Sequence, residues 1–131
     1  MNMTDRAKRA VELKQHHGYN CCQAVTAALA DLTSLNETQL NQIASGFCAG
    51  MGNMQATCGS LIGAGMIAGL KKEGNGTLRY TRQISERFQE KSGALACKDL
   101  KGIETGNMLC SCEDCVRNAV LAYGEVMGEE A

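Results

Sequence analysis

The residues of this chain best equipped for chemistry are its eight cysteines, and foremost among them is Cys58, followed by Gly59-Ser60-Leu61-Ile62-Gly63. Thr57 stands just before it as a candidate cap, which puts the thiol in the first turn of a long, glycine-rich apolar helix. That turn leaves backbone N–H groups unpaired and carries a partial positive charge. Both favour thiolate over thiol and so activate sulfur as a nucleophile or metal ligand. The arrangement recurs at Asn20-Cys21 and at Ser111-Cys112, where Asp114 follows the serine at a capping-box-like spacing. Three of the eight cysteines are therefore expected at the first position of a helix.

The elements that must position these thiols read as helices. Proline is absent, and Ala, Leu, Met, Glu, Gln and Lys are abundant, which argues against a turn-rich β architecture. Ala7, Ala10, Val11 and Leu13 predict a first helix from Thr4, as cap, to about His17, with Gly18 as its stop. His16 and His17 then form a solvated helix end. Asn20 caps a second helix running through Leu32; adjacent Cys21 and Cys22 point about 100 degrees apart on it, so Cys22 is assigned to packing.

Asn36 opens a third helix carrying Leu40, Ile43, Ala44 and Phe47, which fades into the glycine-rich segment Gly46 to Gly52 around Cys48. That segment is either a simple terminus and turn or a stretch whose backbone comes close to a bound ion or partner. A fourth helix, Cys58 to about Glu73, contains Gly59, Gly63, Gly65 and Gly69. Interior glycine costs about 1 kcal/mol relative to alanine, so these positions call for close helix–helix contact and make this the expected central helix. Their spacing does not fit a dinucleotide-binding fingerprint, and no strand precedes them.

Thr77 to Lys91 predicts a polar surface helix with Leu78, Ile84 and Phe88 as its apolar positions. The stretch from Gly93 to Asn107, which contains Cys97, reads as an irregular connection. The closing helix after Cys112 turns Val116, Ala119, Val120, Tyr123, Val126 and Met127 inward. Met51, Met54 and Met66 are assigned to core filling. The expectation is a single all-α domain over residues 1–131, a compact bundle of about five to six helices around the glycine-rich one.

Composition narrows the function. With 44% hydrophobic residues the chain can bury a core without disulfide staples. Net charge near −1, no basic cluster and few aromatic residues give no footprint for nucleic acid. No secretory h-region follows the start, and the run from Cys58 to Leu70 is too short for a membrane span, so the expected location is cytoplasmic with no membrane contact. In a reducing compartment, cysteine at this density points to metal binding or redox chemistry. Acid–base hydrolysis finds little support: His16 and His17 are the only histidines, and Glu12, Asp31 and Glu37 lie on polar faces.

Tyr19-Asn20-Cys21-Cys22-Gln23-Ala24-Val25, Gly50-Met51-Gly52 ahead of Cys58-Gly59-Ser60-Leu61-Ile62-Gly63, Cys97-Lys98-Asp99-Leu100, and Cys112 before Val116 together resemble the C-GCAxxG-C-C family of redox-active proteins. The resemblance spans nearly the whole chain and implies that Cys21, Cys58, Cys97 and Cys112 are the functional cysteines, with Gly59 beside them. Ser60 stands where the family motif usually has alanine; Cys22, Cys48, Cys110 and Cys115 are additions. The family is also similar to a domain of certain multihaem cytochromes that carry an iron–sulfur centre. Haem itself is not expected, because Cys112-Glu113-Asp114-Cys115 is followed by Val116 rather than histidine.

Two classes of function follow. In the first, Cys21, Cys58, Cys97 and Cys112 form one redox site, serving as thiol–disulfide catalyst or as ligands of an iron–sulfur cluster for electron transfer. Its partner would be a redox protein or a small thiol or disulfide. The competing class, ranked lower, is a zinc-binding structural or interaction module, with Cys110, Cys112 and Cys115 as ligands and Cys97 or Cys48 as the fourth. Close packing through the glycine-rich helix is compatible with a homodimer as well as with contacts inside one chain.

Overall fold

Side-chain caps decide where the helices begin. In the computed structural model, which describes residues 2–128, α1 (Met3–His16) starts at Asn2, whose side chain accepts from the Asp5 N–H at 2.8 Å. Asn2 replaces Thr4 as the cap because it keeps extended backbone while Thr4 is already helical. Asn20 caps α2 (Cys21–Leu29) in a reciprocal capping box with Gln23. Asn36 caps α3 (Glu37–Ala44), and Ser111 caps α7 (Cys112–Met127) by accepting from the Asp114 N–H at 3.1 Å.

The remaining elements depart from local expectation. The second helix ends at Leu29 and tightens into a 3₁₀ turn, Ala30–Leu32. The glycine-rich helix, α4 (Gly59–Lys71), begins one residue late, and Cys58 rather than Thr57 is its cap residue. Cys58 keeps extended backbone, and its N–H donates to the Leu95 carbonyl at 2.9 Å. After α5 (Thr77–Ser92), the stretch read as irregular holds a short helix, α6 (Cys97–Lys101). The described residues thus form seven α-helices, more than the five to six expected, with no β-sheet beyond one isolated bridge, Thr57 to Ala96.

The centre is shared. Helix α4 packs on α2, α5 and α7, while α7 packs on α1, α2, α4 and α5 and fully buries Cys115, Val116, Ala119, Val120, Ala122 and Tyr123. Of the α4 glycines, Gly63 is required by packing: a methyl group there would stand 3.0 Å from the Cys22 carbonyl and 3.2 Å from Val25 Cβ. At Gly65 and Gly69 it would meet only threonine methyls, at 3.5 and 3.8 Å. On the outer side, buried Arg6 of α1 donates to the Ala28 carbonyl at 3.2 Å and pairs with Asp31, tying α1 to the end of α2. Several residues assigned inward are exposed, namely Ile43, Met51 and Leu78, whereas Ile84 and Phe88 are buried as expected. No helix among the described residues is long and apolar enough to cross a membrane.

The two glycines should respond oppositely to alanine. Gly65→Ala is expected to stabilise by about 0.5–1 kcal/mol through reduced chain entropy, and Gly63→Ala to destabilise by about 1–3 kcal/mol through overpacking against α2. Urea denaturation of both variants checks this; equal effects would remove Gly63 as the contact that sets the α2–α4 spacing.

Candidate functional site

Two backbone hydrogen bonds fix the site's midpoint. The Cys58 N–H donates to Leu95 O at 2.9 Å and the Cys97 N–H donates to Ala56 O at 3.0 Å, one on each side of the Thr57–Ala96 bridge. The start of α4 is thereby held against the start of α6. Cys21 and Cys112 are the first residues of α2 and α7, so four helix starts deliver Cys21, Cys58, Cys97 and Cys112. These four, with Cys48, line one cavity of about 230 Å³, whose wall also includes Met54, Lys14 and Lys101.

Cys48 arrives on the glycine-rich segment, whose backbone runs left-handed at Ala49, Gly50, Met51 and Gly52. The segment's backbone packs closely against other parts of the chain. A methyl group at Gly50 would lie 2.9 Å from Cys97 Cβ, and one at Gly59 only 2.1 Å from the Phe47 carbonyl oxygen. Gly59 is therefore the residue that lets the backbone leading into Cys48 rest on the first turn of α4.

The other cysteines lie elsewhere. Cys22 is fully buried with its sulfur 4.0 Å from Met66 Sδ, in keeping with its assignment to packing, and burial pushes its thiol up to about 12. Cys110 and Cys115 are buried and do not line the cavity. The histidines stay at an exposed helix end, where His17 lies 3.8 Å from Glu12. Among the described residues, no three or more His, Cys, Asp and Glu side chains are arranged as ligands of a single metal ion.

The cavity sulfurs divide their protons unequally. The neighbouring Cys21 thiol holds Cys112 well below the usual thiol range, assisted by the Lys101 and Lys14 ammonium groups, while Cys21 is pushed up. Likewise the neighbouring Cys115 thiol lowers Cys58 and is itself pushed up, while its S–H points to the Cys110 carbonyl at 3.9 Å. The Ser60 and Leu61 N–H groups in the open first turn of α4 also favour charge on Cys58, although no side-chain cap bond closes there. The buried Ser60 hydroxyl adds to this field while lying outside good hydrogen-bond geometry. Cys97 is raised, chiefly by burial, and its sulfur contacts Met54 Sδ at 3.6 Å. Burial would lower Lys101, but the neighbouring Cys115 and Cys112 sulfurs outweigh it and keep the ammonium charged.

A family model described as "Putative redox-active protein (C_GCAxxG_C_C)" matches residues 19–126. The chain belongs to this family. No curated protein and no solved structure shows significant similarity to it. The C_GCAxxG_C_C match includes every cysteine but begins after α1, which nonetheless contributes Lys14 to the cavity wall. Three lining residues went unrecognised in the sequence. Lys14 and Lys101 sit in the last turns of α1 and α6, where lysine is ordinary, and Met54, assigned to the core, instead turns its thioether to the cavity.

A lowered thiol pKa preserves thiolate as pH falls. Between pH 8.5 and 6.5 an unperturbed thiol loses about 50-fold in alkylation rate. In the metal-free C_GCAxxG_C_C protein, half-buried Cys112 should lose far less over that range, as read by iodoacetamide labelling and peptide mass spectrometry. A full 50-fold fall would show that Cys21, Lys101 and Lys14 do not hold the charge on Cys112.

Proposed function

We propose that the cavity is a redox centre for electron transfer in which Cys21, Cys58, Cys97 and Cys112 hold an iron–sulfur cluster. The observation that carries this reading is the meeting of these four cysteines, each from a separate helix start, around one cavity. Dithiol chemistry needs two sulfurs, whereas a cluster takes four thiolates. The donor set fits: soft thiolates suit iron–sulfur, and each binds its own iron position, so the sulfurs need not converge on a point as they must around tetrahedral zinc. When bound, the cluster would supply a one-electron couple. The chain's own residues would shield it with a largely apolar wall and offset the thiolate charge with Lys14 and Lys101.

A second reading is thiol–disulfide exchange, favoured by Cys21 and the more acidic Cys112 sharing one cavity wall. Cys112 would attack a disulfide substrate, and Cys21 would close the protein disulfide as the second thiol leaves. The zinc module ranks third, because two of its proposed ligands, Cys110 and Cys115, do not line the cavity with Cys97 and Cys112.

Protein purified without oxygen should contain iron and acid-labile sulfide in stoichiometric amounts and absorb in the visible. Serine at Cys21, Cys58, Cys97 or Cys112 should strip most of the iron, while Cys22→Ser should retain it. A colourless, iron-free protein would sink the cluster reading, with tightly bound zinc supporting the module and titratable thiols without metal supporting exchange.

A further inference from the structure

Among the described residues, Met54 is the one thioether on the cavity wall, beside five cysteines. Its sulfur lies 3.6 Å from the Cys97 sulfur, and its side chain is only half-buried, so filling of the core does not account for where it points. Its backbone is held at a φ of 66°, a left-handed conformation that glycine adopts freely and that is costly for a residue with a Cβ. The chain around it is wrapped on Cys97: the Ala56 carbonyl accepts the Cys97 N–H at 3.0 Å, and a methyl group at Gly50 would stand 2.9 Å from Cys97 Cβ. A strained residue that brings a soft donor against a cavity thiol has the character of a ligand clamp.

The spacing of the two sulfurs decides what they could hold. Two sulfurs each ~2.3 Å from one ion stand ~3.8 Å apart at the tetrahedral angle, close to the separation of Met54 and Cys97. Zinc sites and cluster irons are built from cysteine, histidine and carboxylate, whereas thiolate with thioether suits monovalent copper. We infer that Met54 and Cys97 form a soft-donor pair that binds Cu(I) in the metal-free cavity. On binding, the Cys97 thiol releases its proton to solvent, and its sulfur and the Met54 thioether each donate a lone pair to the ion; neither copper nor sulfur changes oxidation state. Cu(I) is stable at low coordination number, so it does not require three thiols around one point, which the described residues do not provide. The inference stands apart from the cluster reading: Cys97 serves one group or the other, and iron and sulfide analysis tests the cluster separately.

The test uses the full chain, freed of metal with reductant and chelator, desalted without oxygen and titrated into the coloured Cu(I)–bicinchoninate complex. The parent should strip the first equivalent of Cu(I) from the complex and bleach it. Met54→Leu conserves volume, so helix content by circular dichroism should be unchanged while Cu(I) affinity falls by about tenfold or more. Met51→Leu, on the same segment with an exposed side chain, should bind as the parent does. Equal affinity in Met54→Leu and the parent would leave the ion to the wall thiols and overturn the pair. A parent that takes no Cu(I) from bicinchoninate would overturn it too, as would a loss in Met51→Leu as large as that in Met54→Leu.

Discussion

The site depends on a pair of backbone hydrogen bonds that belong to no regular element. By tying Cys58 to Leu95 and Cys97 to Ala56, the chain makes one rung of antiparallel pairing inside an otherwise helical structure. The consequence is geometric. A helix start is pinned where a second helix starts, and the thiols at both starts are presented to the same space. Cys58 takes part in this pairing with extended backbone, as the cap residue of α4. The glycine at 59 is required by the same constraint, since the Phe47 carbonyl occupies the place its side chain would fill.

Gathering this many sulfurs under an apolar wall creates an electrostatic difficulty, because several adjacent thiolates repel one another and are poorly solvated. The structure relieves it in two ways. Cys112 and Cys58 are held low while their neighbours Cys21 and Cys115 are pushed up, so that one thiolate of each two is favoured. Lysines from two helix ends, Lys14 and Lys101, bring compensating charge to the wall. Both means are compatible with a bound cationic cluster core and with free thiols that exchange protons and electrons.

What could be read in the sequence was what is decided locally. Asn20, Asn36 and Ser111 announce their helices because a cap and its partner are three residues apart. The all-helical class follows from composition, and membership of the C_GCAxxG_C_C family from the order of its cysteine blocks. What could not be read was set by distant partners. Cys58 was misplaced by one residue because the group that holds it, Leu95, lies far along the chain. Helix α6 escaped notice because it is a single turn preceded by Ala96, which offers no side-chain cap. Gly63 and Gly65 look alike in sequence, yet only Gly63 faces the backbone of α2. Lys14, Lys101 and Met54 carry no local sign of sharing a cavity.

The convergence of four helix starts also couples occupancy to folding. The first turn is where a helix frays most readily, since its N–H groups lack intrahelical partners. Here those weak ends of α2, α4, α6 and α7 all border one cavity. A ligand held by the four cysteines would join segments far apart in the chain and restrain four fraying ends together, so its binding free energy would add to the stability of the whole bundle. By the same linkage, any event that loosens the bundle weakens the grip on the ligand.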